Sequence, residues 1–256
     1  MVTLSTPLVT IAVPSLNQGG FLHEALESIF AQNIPIEVFV LDGGSSDNSM
    51  DVIRKWEPSL TGWRSEKDAG QAAAINEGIG MGSAPYVCWL NSDDYFLPAR
   101  LGKLLQSLKN EQNAPAVYGR SWNVDTQGNK IKPYWTVPFS RRHLANRCFI
   151  SQPATLIRRD AWEKVGGLDD SLHMAFDYDL WWKLYTQFGP LTYVEKFIAA
   201  NRRHDDTKTT INRRQHYREA MKLVRKYYGS VPIKWYLAWP VMVNMWLFLQ
   251  KVKKSP

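Results

Sequence analysis

The sequence predicts an α/β protein: a mostly parallel central sheet with helices on both faces, continued by a C-terminal helical extension that is basic and aromatic. Three observations predict it. Apolar strand-like runs alternate with helical periodicity over the first 110 or so residues. Four of those runs end in polar or acidic residues, as ligand-binding parallel sheets do at the carboxyl ends of their strands. Residues 201–256 carry 13 Lys+Arg against 3 Asp+Glu, a net of +10, whereas residues 1–200 sum to −3.

The elements follow in order. Leu8–Val13 reads as a buried strand stopped by Pro14. Phe21 to Ala31 has Leu22, Ala25, Leu26 and Ile29 at helical spacing. Ile36–Leu41 is a second strand, after which Ser46-Asp47 caps a helix to about Trp56. A short strand lies around Trp63-Arg64-Ser65, a helix from Gln71 to about Ile79, a strand over Tyr86–Leu90 and a helix over Leu97–Leu108. Beyond this the pattern is less regular. Strands are expected over Val117–Val124 and Lys130–Trp135, and helices over Ala175–Phe188 and Asn212–Tyr228. Gly78-x-Gly80-x-Gly82 follows a helix and precedes a strand, the reverse of the order a dinucleotide fingerprint needs, so it is a helix exit.

Composition narrows the function. The 256 residues suit one full α/β domain with an appendage, and 45% hydrophobic content suffices for a core. Cys88 and Cys148 sit in apolar settings without a Cys-x-x-Cys, which points to reduced thiols rather than a zinc knuckle or disulfide framework. Residues 1–13 lack the pattern of a secretory signal, so a cytoplasmic location is expected. Val231–Leu249 is interrupted by Lys234, Pro240 and Asn244, a poor transmembrane span. It fits an interfacial segment better, with Trp235, Tyr236, Trp239 and Trp246 at the headgroup level of an anionic membrane surface and Lys251, Lys253 and Lys254 beside them. A solvated basic helix is the plainer alternative. No nucleic-acid recognition motif is present, and no nucleic-acid partner is expected.

The chemistry concentrates at the strand exits. Adjacent carboxylates such as Asp93-Asp94 repel one another and are costly to hold together without a cation. Hard divalent cations, Mg²⁺ or Mn²⁺, prefer such oxygens and take further ligands from phosphate. A helix N-cap is the competing role for Asp94. In Asp42-Gly43-Gly44-Ser45-Ser46-Asp47 the glycines allow close backbone approach, Asp42 can accept from a base imide or a ribose hydroxyl, and Asp47 suits a helix cap.

Pro14-Ser15-Leu16-Asn17, Asp42-Gly43-Gly44-Ser45-x-Asp47, Lys67-Asp68-x-Gly70-Gln71-x-x-Ala74-x-Asn76 and Asn91-Ser92-Asp93-Asp94, in that order, closely resemble the nucleotide-binding half of family-two glycosyltransferases. The resemblance continues through Gln152-Pro153-Ala154-Thr155, Gly166-Gly167-Leu168-Asp169, Asp177-Tyr178-Asp179-Leu180-Trp181 and Arg202-Arg203-His204, and so covers about residues 8–210. It implies the glycosyltransferase A fold with a Rossmann-like sheet: a catalytic domain over 1–210 (nucleotide half 1–115, acceptor half 116–210) and an extension over 211–256. It also implies a nucleoside-diphosphate sugar donor (UDP-, GDP- or dTDP-linked) and a saccharide or lipid-linked saccharide acceptor. Asp42 and Asp68 would hold the base, with Pro14, Ser15, Asn17 and Gln71 lining the donor site. Asp93 would bind ribose and the metal, Asp94 would be the main metal ligand, and His204 a metal or phosphate contact. Arg202 and Arg203 would neutralise the diphosphate. Asp177 stands where the family keeps its catalytic base, although the family's Glu-Asp pair is Phe176-Asp177 here. Asp177 and Asp179 project about 200° apart on a helix, so they cannot share that role. One base and a metal, with no second carboxylate as nucleophile, imply inversion. A sugar-1-phosphate nucleotidyltransferase would need a basic glycine-rich triphosphate loop, which Pro14-Ser15-Leu16-Asn17-Gln18 is not; a non-catalytic nucleotide-sugar binding module is the other alternative.

Overall fold

A computed structural model describes residues 6–204, 212–240 and 243. Its nine-stranded sheet starts with β3 (Gly62–Ser65), β2 (Ile36–Asp42), β1 (Val9–Ser15) and β4 (Tyr86–Trp89), all parallel. It continues through β8 (Thr155–Arg158), β6 (Ala116–Val124), β9 (Thr192–Arg202) and β5 (Tyr95–Phe96), with β7 (Lys130–Pro133) on β6. Only β8, β5 and β7 run against the rest, so six strands share one direction. Pro14 does not stop β1; the strand continues to Ser15, paired with Asp42. The amide of Leu90 bonds Ala12 O, so Ala12 and, by alternation, Pro14 face the β4 side. The β1–β4 pairing ends at Ala12, so the missing proline N–H interrupts no ladder bond.

Helices cover both faces. On one lie α1 (Gly19–Phe30), α2 (Ser49–Trp56) and α4 (Leu101–Asn110). Their stripes, Leu22/Ala25/Leu26/Ile29 and Leu101/Leu104/Leu105/Leu108, bury against Val9, Ile11, Val13, Val38 and Val40. On the other lie α3 (Gln71–Met81), α5 (Arg141–Asn146), α6 (Arg159–Lys164), α7 (Phe176–Phe188), α8 (Arg213–Tyr228) and α9 (Ile233–Trp239), around Ala12, Phe39, Leu41 and Trp89. Gly78 lets α3 close on the sheet, since a β-carbon there would stand 2.5 Å from Leu41 Cδ2.

Two further expectations change. The helix expected from Leu97 starts at Leu101, because Tyr95 and Phe96 pair with β9 and the amide of Leu97 extends that pairing to Ile198 O. Trp235, expected at a headgroup level, is buried, and its indole N–H donates to Ala145 O at 2.8 Å. Helices α8 and α9 lie beyond the boundary expected at 210, yet Ala220, Leu223, Val224 and Trp235 bury into the cluster that holds α7. Trp246, Asn244 and the lysines at 251, 253 and 254 lie outside the described residues. No described helix is long and apolar enough to cross a membrane.

Candidate active site

The exits of β1, β2, β3 and β4 converge on one edge of the sheet. Asn17 takes φ of 53°, a left-handed conformation Asn tolerates, and its side-chain oxygen accepts the amide of Ser46 at 2.8 Å. The Asn17 amide donates to Ser45 Oγ at 2.7 Å, locking the first two exits together. Asp42 is wholly buried. Its Oδ2 accepts from the amides of Gly44 and Ser45 and from Ser65 Oγ, and its Oδ1 from Ser45 Oγ at 2.5 Å. It therefore shapes the loop around itself. Asp68 stands across from that loop, since a β-carbon on Gly43 would lie 3.4 Å from its Oδ2. Asp68 accepts the Gly70 amide at 2.9 Å and has Arg64 3.6 Å away. Asp47 joins two helix starts: it accepts the amide of Gly19, the first residue of α1, and the amide and hydroxyl of Ser49, the first of α2. Pro14 and Ser15 are buried at the β1 exit, and Ser15 Oγ has no hydrogen-bond partner among the described residues.

A second network ties α3 to the acidic loop. Gln71 donates to Asn91 Oδ1 at 2.8 Å, and Asn91 donates to Asp94 Oδ2 at 3.3 Å and Gln152 Oε1 at 3.4 Å. Gln152, in a 3₁₀ turn before β8, donates to Trp89 O at 2.8 Å. Asp94 is 6% exposed, and its Oδ1 accepts the Arg202 amide at 2.9 Å. Burial, and then the neighbouring Asp93, hold its proton affinity well above the carboxylate range. Asp93 Oδ2 meets His204 Nε2 at 3.0 Å. Asp93, Asp94 and His204 thus gather at the ends of β4 and β9. Two hard carboxylates and an imidazole suit Mg²⁺ or Mn²⁺, and the Asp94–Asp93 repulsion is what a dication would relieve. No group of three or more His, Cys, Asp or Glu side chains is already arranged around a metal position among the described residues.

Arg202 corrects an expectation. Its guanidinium does not stand free for a diphosphate: it donates to Glu24 Oε2 at 2.5 Å and to the carbonyls of Asp93, Asp125 and Thr126, between the rings of Phe21 and Tyr95. It is a buried clamp that fixes the acidic loop. Glu24 had no signal in the sequence beyond its place on a helix. Arg203, next along the strand, is exposed, with Nε on Asn123 Oδ1 at 3.0 Å.

Asp177 opens α7 and is only partly exposed. Among the described residues only backbone amides, its own and that of Tyr178, hydrogen-bond its carboxylate. Burial pushes its pKa up to about 6. Four residues on, and so on the same helix face, Trp181 stacks on Trp89 at 6.1 Å and 12°. Trp89 ends the strand that leads into Asn91–Asp94, so the Asp177 face of α7 is pinned to the acidic exit. Asp179 is wholly buried on another face, paired with Lys183 at 2.9 Å and Lys226 at 3.6 Å and accepting the Tyr227 hydroxyl at 2.7 Å. From α8, Glu219 accepts the amides of Met174 and Ala175 at 2.8 and 3.0 Å, and so holds the approach to Asp177. Nothing in the sequence singled Glu219 out.

This arrangement of strands and helices is that of solved glycosyltransferases. The mannosyltransferase PcManGT of Pyrobaculum calidifontis, in complex with GDP-Man and Mn²⁺, superposes with a TM-score of 0.67 at 18% identity, over 98% of this chain and 76% of that one. S. aureus TarS 1–349 in complex with UDP-GlcNAc gives 0.65 at 16% identity, over 86% and 66%. The fold is the glycosyltransferase A fold. The family model for glycosyl transferase family 2 matches residues 10–166, and the chain belongs to that family. Among curated relatives, the chondroitin synthase of Escherichia coli is 27% identical over 90% of this chain and 34% of its own length. The hyaluronan synthase of Pasteurella multocida is 26% identical over 82% and 22%. The chain spans about a third or less of these synthases.

Proposed function

We propose that the chain is an inverting glycosyltransferase that moves a sugar from a nucleoside-diphosphate donor to a hydroxyl of a saccharide or lipid-linked saccharide acceptor. The observation that carries the reading is Asp177: a carboxylate unpaired with any cation among the described residues, raised to about 6, on a helix face pinned to the acidic exit. Asp177 takes the acceptor's hydroxyl proton while that oxygen bonds to the anomeric carbon. The bond from that carbon to the diphosphate breaks on the opposite side, which inverts the configuration. Asp93, Asp94 and His204 would hold Mg²⁺ or Mn²⁺, which when bound supplies positive charge to the departing diphosphate. Ser15, Asn17, Gln71, Asp68 and the loop that Asp42 holds in shape form the wall for the nucleoside, and Arg203 rather than Arg202 faces the phosphates. The solved neighbours hold UDP-GlcNAc or GDP-Man with Mn²⁺, and the curated relatives make polysaccharides, which supports this donor and acceptor chemistry. A panel of UDP-, GDP- and dTDP-sugars with Mn²⁺, scored for nucleoside diphosphate release on adding oligosaccharides, tests it. Acceptor-dependent release from one donor is the expected result; none from any donor overturns it.

The acceptor lies at the inner face of the cytoplasmic membrane in this reading. Helix α9 turns Ile233, Tyr236 and Leu237 outward at 74%, 49% and 70% exposure, beside Lys222, Arg225 and Lys234. That is the layout of a surface-seated helix, with about 1 kcal/mol gained per basic residue near anionic lipid. The native chain is expected to pellet with anionic vesicles at low salt, and Ile233→Ser with Leu237→Ser to stay in the supernatant. Equal pelleting of the two, or none, removes the membrane from the proposal.

A further inference from the structure

The surface beside Asp177 is basic and aromatic, and the donor loops do not account for it. Helix α5 and the residue that follows it expose Arg142, His143 and Arg147, none of which pairs with a carboxylate among the described residues. Trp135, just past β7, is 42% exposed. Its ring is fixed edge-on by Phe149 at 6.3 Å and 81° and by His143 at 6.1 Å and 70°. The Arg147 guanidinium stands 5.5 Å from the Trp135 ring centre and 6.0 Å from that of Tyr134. Tyr134 in turn donates its hydroxyl to Cys148 O at 2.9 Å, and α5 is tied to the start of α7 by the hydroxyl of Tyr178, the residue after Asp177, which donates to Leu144 O. An indole, a guanidinium and the base carboxylate therefore share one neighbourhood.

A buttressed indole offers a flat apolar face at little entropic cost, which suits the C–H face of a sugar ring. A guanidinium held against aromatic rings keeps its fork of donors ready for a carboxylate or phosphate. We propose that Trp135 and Arg147 form the acceptor subsite next to the attacked hydroxyl, and that the sugar seated there carries an anionic group, a uronate carboxylate or a phosphate. The indole sets the plane of the ring; the guanidinium selects its charge. This rests on the transferase reading given above.

Calorimetric titration tests it with three probes: unsulfated chondroitin hexasaccharide, the same hexasaccharide with its carboxylates reduced to alcohols, and mannopentaose phosphate. The native chain should bind at least one acidic probe about 10- to 100-fold tighter than the reduced one, the range expected for a hydrogen-bonded charge. Preference for the first or the third identifies carboxylate or phosphate as the group. Arg147→Ala should abolish the preference, and Trp135→Ala should weaken acidic and neutral probes alike. Both side chains are solvent-facing, and Mn²⁺-dependent nucleotide binding in each variant, expected at the native level, verifies the fold. Equal affinity for acidic and reduced probes, no binding of either acidic probe, or a preference that survives Arg147→Ala overturns the subsite. A native chain that binds no nucleoside diphosphate with Mn²⁺ overturns the transferase reading instead.

Discussion

Asp177→Asn should lower turnover about 10²- to 10⁴-fold, the usual contribution of a positioned base, while nucleotide affinity stays near the native value. Asn keeps the size of the side chain and can still accept the Tyr178 amide, so the loss reports proton transfer. The native rate should rise with pH through about 6, where Asp177 loses its proton, and level off above it; the residual rate of the variant should lack that step. Stability moves the opposite way. Burial raises this carboxyl from 3.8 to about 6, so the folded state favours the protonated form. That contribution is complete below about pH 3.8 and lost as pH rises through about 6. Asp177→Asn should therefore be more stable than the native chain at pH 8, by on the order of 2 kcal/mol, and gain little at pH 4. Asp179→Asn is the contrasting variant. It removes the charge that Lys183 and Lys226 meet, so it should lower the Tm and spare the rate of the molecules that remain folded. A larger rate loss at Asp179 than at Asp177, with both folded, would reverse the assignment.

The second large effect belongs to the acidic exit. Asp94→Ala should abolish most turnover, about 10³-fold or more, because the charge on a departing diphosphate is worth several kcal/mol to a bound cation. Alanine also leaves the Arg202 amide without its acceptor and removes one of the two acceptors of Asn91, so Asp94→Asn, which keeps the acceptor oxygen, separates loss of the metal from loss of the fold. Both variants should need far more Mn²⁺ for any residual rate. In the native chain excess chelator should stop the reaction and Mn²⁺ restore it; full turnover in chelator would end the metal assignment.

Much of the fold over residues 1–115 was legible in the sequence because its elements are long enough to show a period. The Leu22–Ile29 and Leu101–Leu108 stripes repeat over two turns, and each parallel strand delivers its ligand loop at a fixed end. Short elements were not legible. Strand β5 has two residues and β8 four, while α5 and α6 have six each, too few for a period to stand out. The Arg202–Arg203 pair shows a different limit. Neighbours on a strand point to opposite sides, and only the register of β9 against β6, with Arg202 opposite Val124, decides which arginine goes inward. Trp235 likewise read as a membrane anchor until the groove over Ala145 supplied its partner.

The clamp on the acidic loop also sets an order of events as the chain leaves the ribosome. Asp94 receives its backbone donor from a residue 108 positions later, and Glu24 receives its guanidinium from one 178 positions later. Closing such distant pairs is slow and comes late. A nascent chain that has emerged only as far as residue 115 has β1 to β4 and their exit loops, yet its β4 edge lacks β8 and its paired carboxylates lack Arg202. It is an open sheet edge beside unneutralised charge, a species prone to aggregate. The acidic loop is therefore expected to close only after β9 has paired with β6, and the approach to Asp177 only after Glu219 of α8 has followed.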